Sequence, residues 1–412
     1  MLKVFSENFS IQTSQSSVAS GHSKDASIRN GFEGSVEVNF IAFLSQLNEI
    51  YLIQIDTLFI DNSLQQEIQE TLQKESTSAL VSVLCVASHS HSLPGIDLDK
   101  PLLGKINDDY RNFIKSKIVK NIISSSERTH AKHAIYSIIN KYSQLTIGRR
   151  GGYSGGNFSL FGLRNTVPDF KKIGANLEVT CLRDSKTQKI LSVIWAFPAH
   201  PVLYPGQKKF SSDFPGLVRD LIRKRLKTPN LTVLYLPGCA GDMKSFIKSQ
   251  TKKTMLDYIV GQPFANCDLN EYKNYCNSLE SELFDCITKS EISKTNLLNS
   301  IKHQEIKIPL DEIGINNSNN NLRIDLLSFN NINRFALMNC EPANNYSNLL
   351  GNNCTVSGYA HGVFGYLPTD QQIQQGGYEV DGFMPYFGTK GSFVNNTEKI
   401  VLRSIENECI TD

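Results

Sequence analysis

"SVLCVASHSHSLPG", residues 82–95, is an apolar run that stops at two histidines one residue apart and then at Pro-Gly. Val83 to Ala87 carry no polar side chain, and a short apolar run closed by Pro and Gly reads as a buried strand feeding a loop. Side chains two apart on a strand share a side, so His89 and His91 are expected to reach together beyond the strand's carboxyl end. Open α/β sheets keep their ligands at that end. In isolation the same pair also suits a surface turn, so the reading depends on partners elsewhere in the chain.

The flanking segments supply the architecture. "IYLIQIDTLFI" (50–60) reads as a strand ending at Asp56, and "NSLQQEIQETLQKE" (62–75) as a helix with an Asn/Ser start. After the His89 strand, "DDYRNFIKSKIVKNIISSS" (108–126) reads as a second helix. Further on, "KILSVIWAFPAHP" (189–201) and "NLTVLYLPGCAGD" (230–242) are strands that end in polar turns, separated by the helix "SSDFPGLVRDLIRKRLK" with Asp213 and Pro215 near its start. Alternating strands and helices predict an α/β fold, a mixed layered sheet with flanking helices and the active site at the strands' carboxyl ends. Residues 1–36, rich in Ser, Asn and Gln, read as an irregular arm, and 37–412 as a single catalytic domain. Residues 251–330 read as mostly helical and polar, with an Asn-rich loop tip near 316–321.

Bulk composition excludes several classes. Among the 412 residues, Lys plus Arg number 42 against 40 Asp plus Glu, so no basic excess favours nucleic acid. No apolar stretch approaches the ~20 residues of a membrane-spanning helix. The amino terminus lacks the apolar core of a secretory signal, and the expected location is the cytosol. Nine cysteines, an odd number, fit reduced thiols, with Cys85, Cys181, Cys239, Cys340 and Cys354 in or beside apolar segments. Cys267 and Cys276 lack zinc-knuckle spacing. Nothing in the sequence bears on oligomeric state.

Other strand ends carry further candidates: His200 in "FPAHP", Asp242 in "GCAGD", and Glu341 closing the apolar run of "RFALMNCEP". Two His and a Glu from three strand ends would make a catalytic zinc site with a coordination position left for water. Only eight histidines occur in the chain, which gives weight to those at strand termini.

In the same order, "ASHSHSLPG", "IGRR", "AHPVLYPGQKKFSSDFPG", "GCAGD", "CEP" and "GYLPTDQQIQQGGYE" resemble segments of the neutral ceramidases (the neutral/alkaline, non-lysosomal group) and their shorter bacterial relatives. The similarity runs over roughly residues 45–390. It implies a zinc-dependent amidase that cuts the N-acyl bond of a ceramide-like lipid by attack of zinc-bound hydroxide, with one Zn2+ per chain. Matched residue by residue, it implies zinc ligands at His89, His200, Glu341 and Tyr366. It places His91 in the active site as a proton shuttle, and Arg149 (with Arg150 as second choice) and Tyr378 as donors to the oxyanion. Read alone, the two tyrosines suit packing and Arg149 a surface ion pair.

The chain departs from that pattern in four places. Lys244 in "GDMKS" stands where the long ceramidases carry a Ser proposed as nucleophile, and the family's opening segment has no counterpart in residues 1–40. The resemblance is to the short form without the carboxyl-terminal immunoglobulin-like domain, and no secretion signal is evident. An N-acylated amino sugar or surface-glycan precursor is therefore an alternative substrate, and a non-catalytic lipid- or glycan-binding relative an alternative role. Gly-rich "YSGGNFSLFGL" (153–163) suits an apolar acyl pocket. A (β/α)₈ amidohydrolase needs further His ligands, and His303 and His361, in a charged stretch and a Gly-rich turn, are poorly placed for that.

Overall fold

Which side each apolar residue faces decides the layering. A computed structural model describes residues 2–21, 28–150, 169–206, 208–247, 267–349 and 354–410. The first sheet runs in the order β1 (Lys3–Ser10), β2 (Glu37–Leu44), β3 (Asn48–Ile55) and β4 (Leu80–Ala87). β1–β2 and β2–β3 are antiparallel, whereas β3 and β4 are parallel and joined through helix α1 (Asn62–Glu75). Along β4, Val81, Val83, Cys85 and Ala87 pack in one core and Leu84 and Val86 in another. A sheet covered on both faces explains the unbroken apolar run.

The first face is covered by Leu64, Ile68 and Leu72 of α1 and by Tyr110, Ile114, Ile118 and Ile122 of α2 (Asp108–Ser124), spaced by four along each helix stripe. The second face packs on another sheet, built from β5 (Ala134–Gly148), β6 (Asp169–Asp184), β7 (Ile190–Ala196), β8 (Thr232–Leu236) and β9 (Met243–Ser245) in spatial order β8-β7-β6-β5-β9. β7 and β8 are parallel, with α3 (Asp213–Leu226) crossing between them. The far face of this sheet is covered by α3 and α4 (Leu269–Ile292). Helices, sheet, sheet and helices thus stack in four layers. A third sheet, β10 (Ile301–Pro309), β11 (Asn321–Phe329), β12 (Ile332–Met338) and, beyond the two-residue β13 (Glu341–Pro342), β14 (Thr355–Ser357), contributes to both inner cores. β13 pairs in parallel with β15 (Tyr366–Leu367).

Three expectations are corrected. The reading of residues 1–36 as an irregular arm fails at its start, because Lys3–Ser10 is a strand in continuous register with β2 and buries Val4 and Phe5. As an edge strand it carries Ser6, Glu7 and Asn8, and those polar residues hide it in the sequence. The helical reading of 251–330 holds for α4, while 301–309 and 321–329 form an antiparallel pair. In β10 buried Ile306 and Ile308 flank exposed Lys307, a period of two obscured by the charged outer face. Residues 251–266 and the Gly-rich 153–163 lie outside the described residues. The cap of α1 is Asp61, not Asn62 or Ser63; it accepts from Leu64 N and is gripped by Arg111 of α2. The cysteines named above are free thiols, buried except for half-buried Cys354.

A buried ionic network ties the layers together. Arg219 of α3 binds Asp56 Oδ2 at 2.7 Å and lies 3.4 Å from Glu37 Oε2, while Arg223 clasps both Glu37 oxygens at 2.8 and 2.9 Å. Burial works against the Glu37 carboxylate, but the two guanidiniums hold it below the usual range. Removing one partner of such a group leaves an uncompensated buried charge, so Arg219→Ala is expected to lose about 3–5 kcal/mol of stability in urea unfolding. A loss under about 1 kcal/mol would mean that water already shares the load.

His361 offers a second test. Its backbone N–H donates to Cys85 O on β4, and its buried ring is pushed down to about 3, first by burial and then by Arg323. The unfolded chain takes up this proton below about 6.5 and the folded chain only near 3, so stability is present at neutral pH and lost as pH falls between those values. Between pH 8 and pH 5, His361→Gln is expected to lose about 2 kcal/mol less stability than the parent. Equal slopes in the two proteins would show that the ring protonates in place.

Candidate metal centre

Two parallel β-α-β units bring carboxyl ends side by side. β3 leads into Leu58, β4 into His89, β7 into His200 and β8 into Ala240, and the parallel β13–β15 pair sets Glu341 opposite Tyr366. Strand alternation is not what unites His89 and His91, because β4 ends at Ala87 and His89 sits at φ 62°. Such a left-handed conformation costs a β-carbon-bearing residue roughly 1–3 kcal/mol and clusters at functional sites. The bend turns the two rings onto each other, with centroids 4.8 Å apart at 85°.

Each of the three imidazoles is oriented by a backbone carbonyl. His89 Nδ1 lies 3.1 Å from Leu58 O, His91 Nδ1 3.2 Å from Gly21 O and His200 Nδ1 2.8 Å from Ala240 O. A carbonyl can only accept, so Nδ1 carries the proton in every ring and Nε2 is left with a lone pair. The ligand nitrogens gather within 4.8 Å of one another, with His89 Nε2 and His91 Nε2 3.2 Å apart. Glu341 Oε2 stands 3.2 Å from His200 Nε2 and 3.7 Å from His89 Nε2. Burial drives His89 and His200 down to about 3, so both are neutral at physiological pH and able to act as ligands.

Burial also raises the Glu341 carboxyl, with His89 and Arg149 pulling the other way. Facing lone pairs and a buried carboxylate call for something electropositive between them. Imidazole and carboxylate donors converging in this way suit a divalent metal ion such as zinc. Fixing the outer nitrogen of each ring is the usual way to aim a metal-ligating His.

The other expected residues lie around this centre. Tyr366 hydrogen-bonds to Glu341, and burial followed by Glu341 itself raises its phenol well above the ordinary value. Tyr378 packs edge-on against Tyr366 at 5.5 Å and is pushed by burial to about 12, which keeps it a neutral donor. Arg149 follows the carboxyl end of β5 and is largely covered, its side chain 11% exposed. Its Nε and Nη2 both donate to Glu379 Oε1, and its guanidinium stacks 5.6 Å from the Tyr366 ring. Although burial opposes it, Tyr366 and Glu379 keep its charge firmly in place. Arg150 reaches the Gly376 carbonyl and approaches Glu379 at 3.9 Å.

Asp242 stands outside the group of side chains that could share a metal, and its carboxylate accepts from Asn344 N and Gln372 Nε2. Lys244 sits beside Arg149, and burial and then that neighbour bring its amine down to about 8. His303 pairs with Asp325, away from the centre, as the sequence implied.

Sequence reasoning missed three supports. Tyr359, also left-handed at φ 63°, donates to Glu341 Oε2 at 3.3 Å and lies 4.2 Å from the His89 ring. Glu379 fixes Arg149. Gly21, at φ 92°, leaves room for His91, whose Nδ1 would stand 2.3 Å from an added Cβ. Glu379 closes a quoted motif and Tyr359 precedes that motif, but only the folded chain brings them to the site.

No family model and no curated protein matches the sequence. Solved structures do share the fold. Neutral ceramidase from Pseudomonas aeruginosa aligns with a TM-score of 0.69 over 92% of this chain and 70% of that one, at 11% identity. A ceramidase complexed with C2 aligns at 0.67 over 92% and 71%, also at 11% identity. At that identity the likeness establishes a neutral-ceramidase fold, in accord with the expected α/β architecture.

The geometry predicts that the purified protein takes up a divalent metal ion and that His89→Ala and His200→Ala lose it while keeping their circular dichroism. Tyr359→Phe, which deprives Glu341 of a donor, is expected to weaken the metal's affinity by about tenfold or more. Full metal occupancy in both histidine variants would leave the rings a packing role only.

Proposed function

We propose that this protein is a zinc-dependent amidase that cleaves an N-acyl bond in a ceramide-like or related N-acylated substrate. The observation that carries the reading is the meeting of His89, His200 and Glu341, with His91, at the strand ends of a neutral-ceramidase fold. His89, His200 and Glu341, with Tyr366 as the fourth donor, would hold the ion. When bound, zinc supplies Lewis acidity that activates a water and polarises the amide carbonyl.

The chain's own groups do the rest. His91, half-buried with Nδ1 held by Gly21 O, has Nε2 facing the centre and takes the proton from the attacking water. It then delivers that proton to the departing amine nitrogen as the C–N bond breaks. Tyr378, neutral at physiological pH, donates to the developing oxyanion, and Arg149, held by Glu379, supplies fixed positive charge. Lys244 has no covalent task, so the missing family Ser does not remove the reaction.

Turnover of a panel of N-acyl lipids and N-acyl amino sugars, with and without zinc, tests the proposal. Tyr378→Phe is expected to keep its metal and its KM but to lose about 10²–10³ in kcat. Parent-like turnover in that variant would reduce Tyr378 to packing. A zinc-loaded parent that hydrolyses none of the panel would favour a binding role.

A further inference from the structure

We propose that Lys244 is a specificity residue that selects N-acyl substrates bearing a carboxylate close to the scissile bond, as in N-acyl amino acids, over neutral sphingoid amides. The inference rests on the amidase reading above and adds to it the substrate's charge. In β9, Lys244 is paired with Ile147 of β5, and on its other side it forms a parallel bridge with His200. Residues paired across a ladder share a face, as do residues two apart on a strand. Lys244 therefore lies on the face that carries His200 and, two residues beyond Ile147, Arg149. That is the face of the metal centre, and the bridge to His200 sets Lys244 close to the reacting bond.

The charge inventory agrees. Arg149 and Arg150 both turn to one carboxylate, Glu379, and Asp242 is held by a backbone N–H and an amide. Lys244 thus adds a cation beside Arg149 on the same face. A positive cleft raises the local concentration of anions. A hydroxyl at this position would suit a neutral polar group, whereas an ammonium is a point charge that pairs with a carboxylate.

The test compares N-dodecanoylglycine with its neutral counterpart N-dodecanoylglycinamide on the zinc-loaded protein. The parent is expected to favour the acid in kcat/KM. Lys244→Ser should lower the acid-to-amide ratio about 10–100-fold, the range of one charge-assisted hydrogen bond, and Lys244→Arg should keep it high. Calorimetric binding of the same two compounds to Tyr378→Phe, with and without Lys244→Ser, separates this idea from the reaction. If neither compound is hydrolysed, the amidase reading fails, yet tighter binding of the acid that disappears in Lys244→Ser still supports the selectivity. Equal binding of the two compounds, no binding of either, or a preference for the acid that survives in Lys244→Ser would overturn it, the last by placing the carboxylate on the metal.

Discussion

Three backbone carbonyls, Leu58 O, Gly21 O and Ala240 O, dictate the chemistry of the centre. Each accepts the Nδ1 proton of one imidazole, and that single constraint fixes tautomer, ring orientation and the direction of the Nε2 lone pair. The carbonyls come from the loops after β3 and β8 and from the segment ahead of β2, so the layers must be in register before the rings can aim at one point. Packing of the inner cores and the orientation of the ligands are thus one problem.

Charge in the interior is handled by pairing. Asp56 and Glu37 at the ends of the first sheet are matched by Arg219 and Arg223 of α3, and the same helix begins at Asp213, whose carboxylate accepts from Leu203 N and Tyr204 N. α3 therefore connects the first sheet to the loop that follows His200. At the centre itself, Arg149 is matched by Glu379, while Glu341 has neutral imidazoles and two tyrosines for neighbours. With only Arg149 acting on Glu341 from beyond that shell, a cation between the imidazoles and the carboxylate would complete the pairing there.

Part of the backbone strain lies at the candidate centre. His89, Tyr359 and Asp213 all adopt left-handed conformations without being glycine. Gly241 and Gly358 allow the chain to pass close behind Glu341, since a Cβ on either would come within 2.5 Å of a backbone oxygen of residue 341 or 340. A stable four-layer scaffold can carry such local costs, and they hold the site's side chains in geometries that relaxed loops would not adopt.

Much of this was legible in the sequence. Apolar runs closed by His, by "GCAGD" and by "CEP" identified the strands and the residues at their ends, because burial on both faces imposes continuous hydrophobicity. The edge strand β1 and the charged-faced β10 were not legible, because a strand with one solvated face tolerates polar residues and loses its pattern. The sequence also presented His89, His91, His200, Glu341, Tyr366, Arg149 and Tyr378 as candidates, by their place at strand ends and by motif resemblance. Only the tertiary structure decided that the imidazoles share a proton arrangement, that Tyr359 and Glu379 support the site, and that Lys244 pairs with His200. Those facts depend on backbone atoms and on distances between residues far apart in the chain, and a backbone carbonyl has no letter in the sequence.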